Sequence, residues 1–177
     1  MSAVEDTQHG GDETGKDTHG GSQPPVGGVH PDPTPAAPWP HLAYGDAVHA
    51  ALVAEGLRPD VIEAGRRDRR AERELYLRLV WLPGHEDLEP DLRRDGMVLA
   101  WSHLGGWAAT TGPGGLDMRH LVISDLASPA AVVEAALHLT QDGIDCAWEP
   151  ADLTARWEYA GELDMALVDF DERGTWS

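Results

Sequence analysis

The chain has 177 residues, of which 41% are hydrophobic, and a formal net charge of −18. That length suits one domain with extra segments and is too short for two ordinary domains. So acidic a field disfavours a nucleic-acid backbone or an anionic membrane surface as partner, and it mainly supplies solubility.

Residues 1–38 are rich in Gly and Pro and contain no Leu, Ile, Phe, Tyr or Trp. Such a segment buries too little apolar surface to offset the entropy of ordering it, so it reads as a disordered acidic tail. It lacks the basic and apolar regions of a secretory leader, and no apolar run in the chain approaches the ~20 residues of a membrane span. The expected compartment is the cytoplasm.

Pro40 suits the first turn of a helix, where a missing N–H costs nothing. The spacing of Tyr44, Val48, Ala51 and Leu52 predicts that helix over 41–55, closed by Gly56. Leu57–Ala64 is a weak strand, and the charged run 66–72 reads as a turn. Arg73–Leu82 carries the clearest strand pattern. Leu75, Leu77, Leu79 and Trp81 alternate with Glu74, Tyr76, Arg78, Val80 and Leu82, the period-two signature of a half-buried antiparallel strand. Tyr76, Val80 and Leu82 keep its outer face apolar and mark a candidate interaction surface.

Pro83-Gly84 ends that strand, and 85–95 reads as a polar connection with one helical turn. Residues 97–111 predict a hairpin with Trp101 and Trp107 on its arms and Gly105-Gly106 near its tip. Loop length decides where Trp107 points. A two-residue Gly105-Gly106 loop puts the tryptophans on opposite faces and adds Trp107 to the candidate surface. A three-residue Leu104-Gly105-Gly106 loop, with Gly in the left-handed position, puts both in the core. The core reading is favoured, because the alternative offers the core only Ala108 and Thr110.

Met118–Ile123 is the next strand. Ser128 then reads as an N-cap, Pro129 as the first helical position, and Gly143 as the residue past a helix ending at Asp142. Val132, Val133, Ala136, Leu137 and Thr140 form its inward stripe. Farther on, Ile144–Trp148 reads as a strand and Ala151–Tyr159 as a short helix. Leu163–Phe170, apolar on both alternating faces, is either a buried strand or a docked helix. The order predicts an α+β fold, an antiparallel meander of about four strands flanked by two helices. The organisation expected is a tail over 1–38, an α+β domain over 39–143, and an acidic extension over 144–177 packed on the domain.

Three pieces carry a family resemblance. They are Tyr44-x-x-Ala47-Val48-x-x-x-Leu52-x-x-x-Gly56-Leu57, Leu99-x-Trp101-x-x-x-x-Gly106-Trp107, and Ser128-Pro129-x-x-Val132-Val133-x-Ala135-Ala136. In this order they resemble a family of small actinobacterial domains of unknown function. The resemblance covers residues 41–142. It implies an actinobacterial source and a helix–sheet–helix core, and it implies no catalytic residues.

The chemistry-bearing residues give few constellations. His103 and His120 fall on neighbouring strands and make the one candidate acid–base site. His85-Glu86-Asp87 lacks the second histidine of a His-Glu-x-x-His helix. Asp169, Asp171 and Glu172 lack the spacing of a calcium loop. Arg66, Arg67, Arg69, Arg70 and Arg73 are interleaved with Asp68, Glu72 and Glu74, which argues against a nucleic-acid patch. Cys146, the one cysteine, excludes an intramolecular disulfide and a Cys-based zinc site. Its acidic neighbours make it read as an inert thiol. No phosphate loop or nucleophile elbow occurs. No catalytic, cofactor-binding or metal residues are assigned.

The function expected is therefore a non-enzymatic binding or accessory module. Its partner would be a protein or a second copy, met through Tyr76, Val80, Leu82 and Trp107. An enzyme built around His103 and His120 is one alternative, and a structural homo-oligomer is another. The excess of Trp, seven against one Phe, suits an interface as well as a core.

Overall fold

A computed structural model of the chain describes residues 39–69, 72–115 and 118–174. The expected tail over 1–38 lies outside the described residues. In chain order the elements are α1 (Leu42–Ala54), β1 (Val61–Arg69), β2 (Glu72–Trp81), α2 (Pro90–Asp95), β3 (Met97–Ser102), β4 (Gly106–Thr111), β5 (Arg119–His120), α3 (Pro129–Asp142) and α4 (Ala160–Gly174). The class is α+β, as the sequence predicts.

The alternation along β2 organises the sheet. Leu75, Leu77, Leu79 and Trp81 are buried, and their cross-strand partners Trp101, Leu99 and Met97 are buried with them. Burying each such side chain contributes roughly 1.5–3 kcal/mol. The strands run antiparallel in the order β1-β2-β3-β4-β5, an open five-stranded meander. Helices cover one face. Tyr44, Val48 and Leu52 of α1, Val132, Ala136 and Leu139 of α3, and Leu163 and Leu167 of α4 belong to the same buried cluster as Trp101 and Trp107.

The Trp hairpin resolves the loop question. Trp101 stands opposite Trp107 and Ser102 opposite Gly106, leaving a three-residue loop, 103–105, one position earlier than the sequence suggests. Gly106 sits at φ +67, and a Cβ there would press into the Asp125 carboxylate. Only glycine meets both demands. Both tryptophans occupy the core face. Trp107 is 2% exposed and so leaves the candidate surface.

Elsewhere the sequence reading needs revision. The charged run 66–72 is mostly strand. It extends the β1–β2 ladder, with Arg67 opposite Glu74 and Asp68 opposite Arg73, so opposite charges do the pairing there. The connecting residues 70–71 are not described. β5 is only two residues long. Residues 144–148 form no strand and 151–159 no helix. The uncertain stretch 163–170 lies in α4, whose Ala160, Leu163 and Leu167 recur at helical spacing and are buried. α3 runs as predicted, with the Ser128 hydroxyl accepting from the Ala131 N–H at 3.2 Å. Among the described residues, no helix is long and apolar enough to cross a membrane.

Candidate functional site

With the helices on one face, the sheet presents the other as a surface. Its side chains line up in rows set by the register. Arg78, Ala100, Ala108 and His120 face one another across β2 to β5. Tyr76, Ser102 and Gly106 form the next row, and Val80, Val98 and Thr110 the row on the other side. The middle of the face is thus built from small residues, Ala100, Ser102, Gly106 and Ala108. Larger side chains stand around them. The result is a cleft of about 630 Å³, bounded by Tyr76 and Arg78 on one flank and by Met118 and His120 on the other.

The β1–β2 side of the cleft is fixed by charge pairing. Arg67 donates to both carboxylate oxygens of Glu74, at 2.5 and 2.8 Å, and its guanidinium lies 5.0 Å from the Tyr76 ring centre. The Glu74 hydrogen bonds push the Arg67 guanidinium further into its charged form. Gly65 lies opposite Tyr76, where a Cβ would come within 3.2 Å of the phenol oxygen. Its missing side chain leaves room for the ring. Arg78 donates to Glu63 at 2.7 Å and to the Pro113 carbonyl at 3.2 Å, which ties the 112–115 loop to the rim. Both arginines therefore reach the cleft already paired, and the site carries oriented, partly neutralised charge.

The four residues singled out for the surface have four different placements. Tyr76 is half-buried and lines the cleft. Val80 lies on the outer face but is 4% exposed, closed over by its surroundings. Leu82 is 43% exposed and falls just past the end of β2. Trp107 is in the core. The sequence places Arg78 on the outer face without marking it as a site residue, and Ala100 and Ala108 carry no chemical signal until the register aligns them.

His103 and His120 do not meet in one pocket. His120 is exposed on the cleft. The His103 side chain is 2% exposed and uses both ring nitrogens. Nδ1 accepts from the Leu75 N–H at 3.0 Å, so the proton sits on Nε2, which donates to Asp171 of α4 at 3.1 Å. Phe170 meets the ring edge-on. His103 is a clasp between the hairpin and α4. The acidic C-terminal cluster is thus partly spent on it. His85 holds its own loop to the Arg58 carbonyl at 3.1 Å. Among the described residues, no group of three or more His, Cys, Asp or Glu side chains is placed to hold a metal ion.

No family model, no curated protein and no solved structure matches this chain.

Proposed function

We propose that the chain is a non-enzymatic protein-binding module of the α+β class, akin to the small actinobacterial domains it resembles. Its outer sheet face receives an extended peptide segment of a partner. The observation that carries this reading is a sheet face that no helix covers among the described residues, with its small-residue floor between Tyr76 and Met118. An apolar side chain of a partner would rest on Ala100 and Ala108, while Arg78 and His120 meet its backbone carbonyls. The commitment of both His103 nitrogens to structure supports a binding role over a catalytic one at this end of the sheet.

The test is selection of short peptides from a display library against the full chain, followed by affinity measurement on Ala100→Arg and Tyr76→Ala. The selected peptides should lose tenfold or more in affinity on both variants, on the order of the 1.4 kcal/mol that tenfold represents. Peptides that bind both variants as tightly as the original chain refute the site. Light scattering covers self-association. A dimer that Ala100→Arg dissociates makes the occupant a second copy rather than a peptide.

A further inference from the structure

The chain's one cysteine sits where α3 ends, away from the cleft. Gly143, at φ +84, turns the chain so that Cys146 folds back against the last helical turn. Its Sγ lies 2.9 Å from His138 Nε2, and His138 Nδ1 lies 2.9 Å from Asp142 Oδ2. A carboxylate only accepts, so Nδ1 carries the proton and Nε2 turns its lone pair to the thiol. Nucleophile, base and orienting carboxylate thus stand in the order that activates a thiol. The Trp148 ring stacks on His138, with centres 5.8 Å apart and planes 27° apart, and steadies the imidazole. Cys146 is half-buried, within reach of a small reagent. The Gly143 carbonyl, 2.8 Å from Sγ, is a second acceptor for the S–H proton. Delivery there alone would make the thiol an inert helix cap.

We propose that Cys146, His138 and Asp142 form a thiol–disulfide exchange site for a small neutral or cationic disulfide. The thiol proton passes to His138 Nε2, and the sulfur attacks one sulfur of the disulfide. The disulfide bond breaks as the Cys146 mixed disulfide forms. The departing thiolate takes the proton from His138 and leaves as a free thiol. No oxidant is needed, since one disulfide replaces another. The site's charge selects the reagent. Asp142, Asp145 and Glu149 are exposed around it and repel an anionic disulfide. With no second cysteine in this chain, the adduct persists until an external thiol removes it. Cys146 is therefore a site of reversible modification, separate from peptide binding at the sheet.

The experiment treats the full chain with cystamine, a cationic disulfide, and follows mixed-disulfide formation by intact mass. The folded chain should react about tenfold or more faster than the same chain unfolded in urea, and faster by a similar factor than His138→Gln, a modest share of what a positioned base provides. Cys146→Ser should take up nothing, and Asp142→Asn should fall between. Circular dichroism reports whether each variant folds, and the folded-against-unfolded comparison needs no variant. A folded chain that reacts more slowly than the unfolded one, or a His138→Gln variant at the original rate, overturns the proposal. Faster reaction with dithiodiglycolate, an anionic alkyl disulfide, than with cystamine, each rate taken relative to the unfolded chain, overturns the choice of reagent.

Discussion

Trp107 donates its indole N–H to the Tyr44 hydroxyl at 3.0 Å, and Tyr44 hands its own proton to the Ala127 carbonyl at 2.8 Å. One phenol thus joins β4, α1 and the residue just before the α3 cap, all within the core. Burial pushes its ionisation above the ordinary tyrosine range, so it stays neutral and can keep both roles.

Tyr44→Phe keeps the ring and removes the relay. It leaves a buried N–H and a buried carbonyl unpaired, a loss of about 1–3 kcal/mol. Urea unfolding should show a lower midpoint with an unchanged slope. An unchanged midpoint would show that the relay contributes nothing.

His41 gives stability a pH dependence. It is stacked between Trp39 and Trp101, donates from Nε2 to the Tyr76 carbonyl at 3.1 Å, and has its Nδ1 buried without a partner among the described residues. A second proton would land on that orphaned nitrogen. Burial accordingly lowers its pKa from 6.5 to about 4. Between those values the unfolded chain binds the proton and the folded chain does not. The contribution is complete above 6.5 and is lost as pH falls toward 4. His41→Phe should reduce the fall in unfolding free energy between about pH 7 and about pH 5 by about 2 kcal/mol. Parallel pH profiles for the two proteins would refute this.

Adjacent glycines at the hairpin tip should behave differently. Gly106→Ala forces a left-handed alanine against Asp125 and should cost about 1–2 kcal/mol or more. Gly105→Ala meets its nearest atom, on His120, at 3.8 Å and should be close to neutral. Thermal melts of the two variants provide the comparison, and equal shifts would contradict it.

Two core tryptophans isolate the value of an indole hydrogen bond. Trp101 donates to the Asp125 carbonyl at 2.6 Å, whereas the Trp81 N–H is buried without a partner among the described residues. Replacement by Phe removes the same atoms from each. Trp101→Phe should therefore cost about 1 kcal/mol more than Trp81→Phe, the net worth of one such bond. Chemical denaturation of both variants measures the difference.

Legibility followed physical signal. β2 and α3 were readable because burial imposes a period on one and caps bound the other, as Ser128, Pro129 and Gly143 do. The far end of β1 was not, since paired charges such as Arg67 and Glu74 satisfy a ladder without alternating apolar residues. α4 confused two periods. Leu163, Met165 and Leu167 alternate by accident, and Met165 is exposed while Leu163 and Leu167 are buried. The cleft was half readable: Tyr76 announced itself, but Ala100 and Ala108 mean nothing before the register places them together. His138 and Cys146 stand eight residues apart, and although Gly143 marks the helix end, the direction the chain takes beyond it, which joins them, has no signature in the sequence.

The strict sequence order of the strands has a kinetic consequence. Each strand pairs with the next one along the chain, through connections that are short apart from residues 82–96 with α2, so most of the sheet assembles at little closure cost. α4 returns to the hairpin over a span of 68 residues, where Asp171 meets His103. Contacts so distant in sequence are expected to form after the local strand pairings, so α4 should dock onto a sheet already paired, as should the contact between Tyr44 of α1 and Ala127 over a span of 83 residues.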